Sequence, residues 1–279
     1  MLQQTPVVRV LPIWREWLDR WPTPADLAAA SPAEVVRAWG RLGYPRRALR
    51  LHAAATEIAE NHGNRVPEDH AELLDLPGIG SYTAAAVAVF AFGQHYTVVD
   101  TNIRRVHARL FSGKALPSKS LTAAETRLAD QLMPEGREDS VKWNQSVMEL
   151  GALVCTARSP KCDDCPVFDQ CAWIAAGRPE PDYVPKGQSW HGTDRQVRGA
   201  MMAVLRHSPA PIPVDLLLTD RAGAEQLATR MERPGQETAD MLEKLWSLPA
   251  PPEQRERAFH GLVRDGLASR QGDEASLPS

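Results

Sequence analysis

The chain has 279 residues, of which 43% are hydrophobic and 24% charged, enough for one large or two modest domains and too apolar for a disordered chain. No stretch reaches the roughly 20 consecutive apolar residues of a membrane-spanning helix and no leader opens the sequence, so a cytoplasmic protein is expected. The formal net charge of −3 speaks mildly against nucleic acid, but binding depends on a local basic face rather than on the sum.

In chain order, Met-Leu-Gln-Gln-Thr leads straight into Val7, Val8, Val10, Leu11, Trp14, Leu18 and Trp21 at near-helical spacing. Ser31-Pro32-Ala33-Glu34 is a capping box with proline at the first helical position, followed by Val35, Val36 and Trp39. From Arg41 to Arg50, four arginines surround Tyr44; a bare charge run is usually a solvated helix face, and a strip facing phosphates is the sharper alternative. His70 to Leu76 reads as a short helix stopped by Pro77-Gly78, and Thr83 to Phe92 as an alanine- and valine-rich helix ended by Gly93. Leu121–Met133 and Trp143–Val154 complete an all-α reading of the first ~175 residues. Prolines 179, 181 and 185 with glycines 177, 187 and 192 then mark a linker over residues 178–194. A helix resumes at Arg195, another is expected over Glu253–Leu267, and the turn Gln271-Gly272-Asp273 suggests a short hairpin, together a small winged-helix-like module over 195–279.

Three stretches carry chemistry. Cys155, Cys162, Cys165 and Cys171 are the only cysteines, in a chain without an export signal, which points to a metal site rather than a disulfide framework. Structural zinc usually uses two tight Cys-x-x-Cys pairs, and here there is one, with outer spacings of six and five; spacing alone leans modestly to a 4Fe–4S cluster. Leu76-Pro77-Gly78-Ile79-Gly80-Ser81-Tyr82-Thr83-Ala84 lies between two helices. Its glycines allow a tight turn with outward amides, and the next helix adds its positive end, a site for one phosphate. A dinucleotide fingerprint is excluded, because no strand precedes it and Thr83 occupies the third glycine's place; an ordinary helix–helix turn remains the plain alternative. Asp100, in Val98-Val99-Asp100-Thr101-Asn102-Ile103-Arg104-Arg105, reads as a helix N-cap that follows the turn by about 20 residues.

On these stretches residues 1 to about 175 resemble the endonuclease III-like helix-hairpin-helix DNA glycosylases, and MLQQT, RLGY, Trp143-Asn144-Gln145 and Glu149-Leu150-Gly151-Ala152 resemble the adenine-specific MutY family within them. The resemblance implies a six-helix-barrel-type domain over 1–118, a 4Fe–4S cluster domain over 119–177 and the four cysteines as ligands. It implies that Gly78 and Gly80 grip the DNA backbone without reading sequence. It implies that Asp100, oriented by Asn102, stabilises the sugar cation as adenine leaves a flipped-out nucleotide. Tyr82 stands where endonuclease III carries a lysine that forms a Schiff base, which implies a glycosylase without strong lyase activity. Gln4 and Tyr44 are implied to wedge around 8-oxoguanine, with Leu42, Thr5 and the neighbouring Leu2 beside it, and Gln145 to lie near the adenine.

The sequence departs from the family pattern in three places. Arg41 replaces the first glycine of Gly-Leu-Gly-Tyr. The family's general acid is a glutamate two residues before the methionine of MLQQT, here residue 1, so an N-terminally truncated form with a late-called start codon is expected. No Nudix-like tail is evident, which would leave 8-oxoguanine recognition resting more on Gln4 and Tyr44. The implied partner is duplex DNA with A:8-oxoguanine or A:G mispairs, bound by a monomer acting at the bacterial nucleoid. Two alternatives stay open: a mispair-binding iron–sulfur protein that does not cut, and an endonuclease III-like enzyme for oxidised pyrimidines.

Overall fold

A computed structural model describes residues 1–185, 187, 189–227 and 235–279, except the side chains of 225–227. It divides into two compact units, Met1–Arg65 with Gly187–Ser279 and Val66–Lys186.

The first unit begins with helices α1 (Val7–Arg20), α2 (Pro24–Ala29), α3 (Pro32–Trp39) and α4 (Arg46–Asn61). Helices α2 and α3 each start at a full capping box with proline behind it, Thr23 with Asp26 and Ser31 with Glu34. Val10, Trp17, Leu27, Val35, Trp39 and Leu42 form their shared core. Helix α3 is apolar on a second side as well. Val36, 0% exposed, belongs to another core with Val197, Met201, Leu205, Leu217, Leu242 and Leu262. Residues 1–65 therefore share a unit with the C-terminal segment, because adjacent residues of one helix feed two cores.

The C-terminal segment runs α11 (Asp194–His207), β1 (Ile212–Pro213), α12 (Val214–Leu218), α13 (Arg221–Leu227), α14 (Gln236–Trp246), α15 (Pro252–Arg264), β2 (Ser269–Gln271) and β3 (Glu274–Ser276). The sheet order is β1-β3-β2, antiparallel throughout. Gln271 pairs with Glu274, so Gly272-Asp273 is a two-residue turn, and Gly272 supplies the positive φ of 61° that such turns need. Helices followed by a closing hairpin match the winged-helix-like expectation. Helices α12, α13 and α14 and the two-residue β1 were not anticipated, the last because two residues carry no period to read.

The second unit holds α5 (His70–Asp75), α6 (Ser81–Phe90), α7 (Thr101–Leu110), α8 (Ala123–Gln131), α9 (Arg137–Glu149) and α10 (Ala172–Ala175). The helix expected from Trp143 begins six residues earlier, at Arg137, and its last stretch, Leu150–Val154, is a π-helical turn that ends at Cys155. Ala85, Val89, Val98, Ile103, Val106 and Val147 make the core. Asn144 is buried in α9; its Oδ1 accepts from the Val98 amide at 3.0 Å and its Nδ2 donates to the Tyr96 carbonyl at 3.1 Å. It thereby fixes the extended segment that delivers Asp100. No helix among the described residues is long and apolar enough to cross a membrane.

Candidate active site

In the second unit, α5 and α6 are joined by the expected tight turn. Gly78 has φ +80°, a conformation reserved for glycine, whereas Gly80 is extended at −104° and caps α6 with no side-chain bond. A Cβ built on Gly80 would meet nothing within 4 Å. The glycine there keeps open the approach to the first amides of α6, as a docked phosphate requires. Tyr82, in that first turn, is part-exposed. Burial raises its phenol above the ordinary value and the Asp100 carboxylate raises it further, so the two groups share one electrostatic environment and the phenol is neutral at neutral pH.

Asp100 is the N-cap of α7, as the sequence suggests. Its Oδ1 accepts from the Ile103 amide at 2.7 Å and its Oδ2 from Asn102 Nδ2 at 2.8 Å. Asn102 Oδ1 in turn accepts from Arg105 Nη2 at 2.8 Å. Arg105, also buried, donates its Nε to the Cys155 carbonyl at 2.7 Å and Nη2 to the Gly151 carbonyl at 2.5 Å. A continuous hydrogen-bond chain thus runs from the first cysteine to the carboxylate. Gly151 makes it possible: a Cβ there would lie 2.8 Å from both Cβ and the carbonyl oxygen of Asn102.

The four cysteines line one recess, walled also by Val154, Pro160, Phe168 and Trp173 and not bridged by disulfides. Among the described residues no group of three or more His, Cys, Asp or Glu is arranged to hold a single metal ion. Four cysteines lining one recess supply the ligand number and type of a 4Fe–4S cluster. Burial pushes the Cys165 thiol up, and the neighbouring cysteines push it further. Arg109 contributes to the wall. Its Nη1 lies 3.3 Å from Cys155 Sγ and donates to the Thr156 carbonyl at 2.8 Å, and its guanidinium covers the Trp173 ring at 5.0 Å. Gln145 is exposed on α9.

In the first unit, Leu2, Gln4 and Thr5 come together with Leu42 and Tyr44. Gln4 at φ 56° and Tyr44 at φ 48° are both left-handed, a conformation that costs a side-chain-bearing residue about 1–3 kcal/mol and persists only where the surroundings impose it. What imposes it is a set of donors on successive carbonyls. Gly40 accepts from Arg206, Arg41 from Arg9, Leu42 from Thr5 Oγ1, and Gly43 from both Trp39 Nε1 and Arg47 Nη2. Arg47 also donates to the Met1 and Gln3 carbonyls and, at 2.7 Å, to Thr5 Oγ1. Tyr44 is 51% exposed and Leu2 58%. Leu42 and Thr5, at 4% and 7%, turn inward instead: Leu42 fills the core, and Thr5 Oγ1 donates to the Leu42 carbonyl and accepts from Arg47, so they support the exposed pair rather than offer a surface. Arg47 likewise leaves the phosphate-facing strip that the run of arginines suggested.

Sequence reasoning missed Arg47, Arg105, Arg109 and Asn144 as organisers of these sites. Arg105 and Arg109 stand four apart on α7, which was visible, but most of their partners are backbone carbonyls, which have no sequence signature.

Residues 1–131 match the HhH-GPD superfamily of base excision DNA repair proteins, and residues 155–171 the iron–sulfur binding domain of endonuclease III. An adenine DNA glycosylase of Mycobacterium tuberculosis is 46% identical over 274 residues, covering 98% of this chain and 81% of the relative. A human adenine DNA glycosylase is 44% identical over 174 residues, 61% of this chain and 31% of the relative. Among solved structures, a thermostable thymine-DNA glycosylase superposes with a TM-score of 0.55 at 30% identity, over 63% of this chain and 80% of that one. A trapped endonuclease III–DNA covalent intermediate superposes with a TM-score of 0.56 at 24% identity, over 64% and 82%, a likeness of fold.

Proposed function

Because the chain belongs to the adenine DNA glycosylase family of the HhH-GPD superfamily, we propose that it removes adenine from duplex DNA where that base stands opposite 8-oxoguanine or guanine. The reaction is hydrolysis of an N-glycosidic bond in base-excision repair, and the chain carries a 4Fe–4S cluster on Cys155, Cys162, Cys165 and Cys171. The duplex is held without sequence readout, its backbone docking on the amides at Gly78 and Gly80. Gln4 and Tyr44 enter at the base opposite the adenine, with Leu2 beside them and Leu42 and Thr5 bracing the loop from below. Gln145 lies along the extruded adenine. The protein acts as a monomer in the cytoplasm, on the nucleoid.

As the base departs, positive charge grows on the sugar, and a fixed carboxylate lowers the energy of that state because it needs no reorganisation. Among the described residues, each oxygen of Asp100 accepts one hydrogen bond, from Ile103 and from Asn102, which leaves acceptor capacity on both for the sugar face. Tyr82, a neutral phenol in the field of that carboxylate, offers no amine for a Schiff base, so base removal ends the reaction without strand cleavage by that route. When bound, the cluster supplies a covalent knot for the cysteine loop and a one-electron centre. Arg105 and Arg109 hold the Cys155 end of that loop, and Arg105 passes the constraint through Asn102 to Asp100.

The observation that carries this reading is the doubly held Asp100. Its test is adenine release from an A:8-oxoguanine duplex under single turnover. Asp100→Asn is expected to slow release by about 10²–10³-fold while duplex affinity stays the same. Equal rates for the two proteins would remove Asp100 from the chemistry.

A further inference from the structure

The loop from Gly40 to Arg46, which presents Tyr44, is anchored by the C-terminal segment at both ends and through its floor. At the start, Arg206 of α11 donates to the Gly40 carbonyl, and Arg37 Nη2 donates to the Ser208 carbonyl at 3.1 Å. At the end, Arg46 Nη1 lies 3.5 Å from Asp265 Oδ1, while Arg198 of α11 holds the other oxygen of the same carboxylate. Beneath, Val36 is enclosed in the C-terminal core, and Ala33 and Leu49 pack against it. The other donors to the loop, from Arg9, Thr5, Trp39 and Arg47, belong to the N-terminal helices themselves. Among the described residues, Arg206 is the donor to a loop carbonyl that comes from the far end of the chain, and Asp265 is the acceptor from there that pairs with Arg46. A left-handed tyrosine relaxes unless its flanks are held, and here the flanks are held by residues about 160 to 220 positions away.

We propose that the C-terminal module is a clamp for the mispair-reading loop, and that Arg206 and Asp265 are positioning residues for discrimination at the base opposite adenine. The inference rests on the reading of Tyr44 given above. It assigns this small winged-helix-like module a task carried out inside its own unit, through the shape of a loop, with no contact of its own to the nucleic acid required.

The test uses the full chain with Arg206→Met, Arg206→Lys and, as a control, Tyr44→Ala. Affinity is measured for a duplex with A opposite 8-oxoguanine and for the same duplex with A opposite T. Amide exchange across residues 40–46 is followed without DNA. With Arg206→Met the preference for the mispair is expected to fall by about tenfold or more, the affinity for the matched duplex to hold, and exchange in the loop to quicken. Arg206→Lys, which keeps a donor, is expected to restore most of the preference. Unchanged exchange in Arg206→Met overturns the clamp. Faster exchange with an intact preference, while Tyr44→Ala loses it, overturns the positioning role. A preference that survives Tyr44→Ala defeats the reading of Tyr44 and the positioning role with it, and exchange alone then decides the clamp. Should Arg206→Met fail to fold, Asp265→Ala, which frees Arg46 and Arg198 from outside the core, is judged by the same outcomes.

Discussion

His107, on the helix that carries Asp100, is buried, and its Nε2 has no hydrogen-bond partner among the described residues. Burial lowers its pKa from 6.5 to about 4. Between those values the unfolded chain takes up a proton that the folded chain refuses, so folding stability is complete above pH 6.5 and declines as pH falls toward 4. The slope from one such group is about 1.4 kcal/mol per pH unit at most. Urea unfolding of the wild type and of His107→Met at pH 7.5 and pH 5 checks this. The wild type is expected to lose more stability between the two than the variant, and parallel losses would assign the acid sensitivity to other groups. The unpaired nitrogen is a cost that the sequence did not disclose. An isolated histidine among apolar neighbours looks the same whether or not it finds a partner. Asp100, by contrast, was legible, because an aspartate directly before a helix signals its cap by type and position alone.

At the scale of elements, the sequence was clearest where local chemistry decides. The capping box of α3 and the glycine turn before α6 are set by neighbouring residues, and the structure forms them; the equally local box of α2, Thr23 with Asp26, was there to be read as well. It was opaque where a distant partner decides. The π-helical turn Leu150–Val154 exists because the chain must deliver Cys155 and bring the Gly151 carbonyl onto Arg105, and nothing within those five residues announces it. The two faces of α3 were visible as consecutive valines, but which core each would enter was not. Gly151→Ala tests the close packing of this turn on α7. The added Cβ would sit 2.8 Å from the Asn102 backbone oxygen, so either the turn or Asn102 must move. The expected result is a destabilisation of about 1–3 kcal/mol and slower adenine release at saturating enzyme, since Asn102 orients Asp100. Full activity with full stability would show that the two elements tolerate separation and that the bond from Asn102 to Asp100 is dispensable.

At the scale of the molecule, both ends of the chain fold into one unit while the cluster loop and Asp100 lie in the other. The units therefore differ in what they lose when the chain is shortened. A form ending at residue 186 retains every residue of the second unit but strips the cover from Val36, Ala33 and Leu49 and removes the donor to Gly40. Exposing that apolar floor leaves α3 with one core instead of two, and a small set of helices of this kind has little stability to spare. Limited proteolysis is expected to cut this form first within residues 24–61, while residues 66–186 stay protected and keep the visible absorbance of the bound cluster. Duplex binding should persist through the hairpin at Gly78 and Gly80, with the preference for the mispair gone. If residues 24–61 were as protected in the shortened form as in the whole chain, the C-terminal segment would be a passenger, and the fold of the first four helices would stand on its own core. If the cluster absorbance were lost as well, the two units would be coupled in folding, and Asp100 would depend on the C-terminal module along with Tyr44.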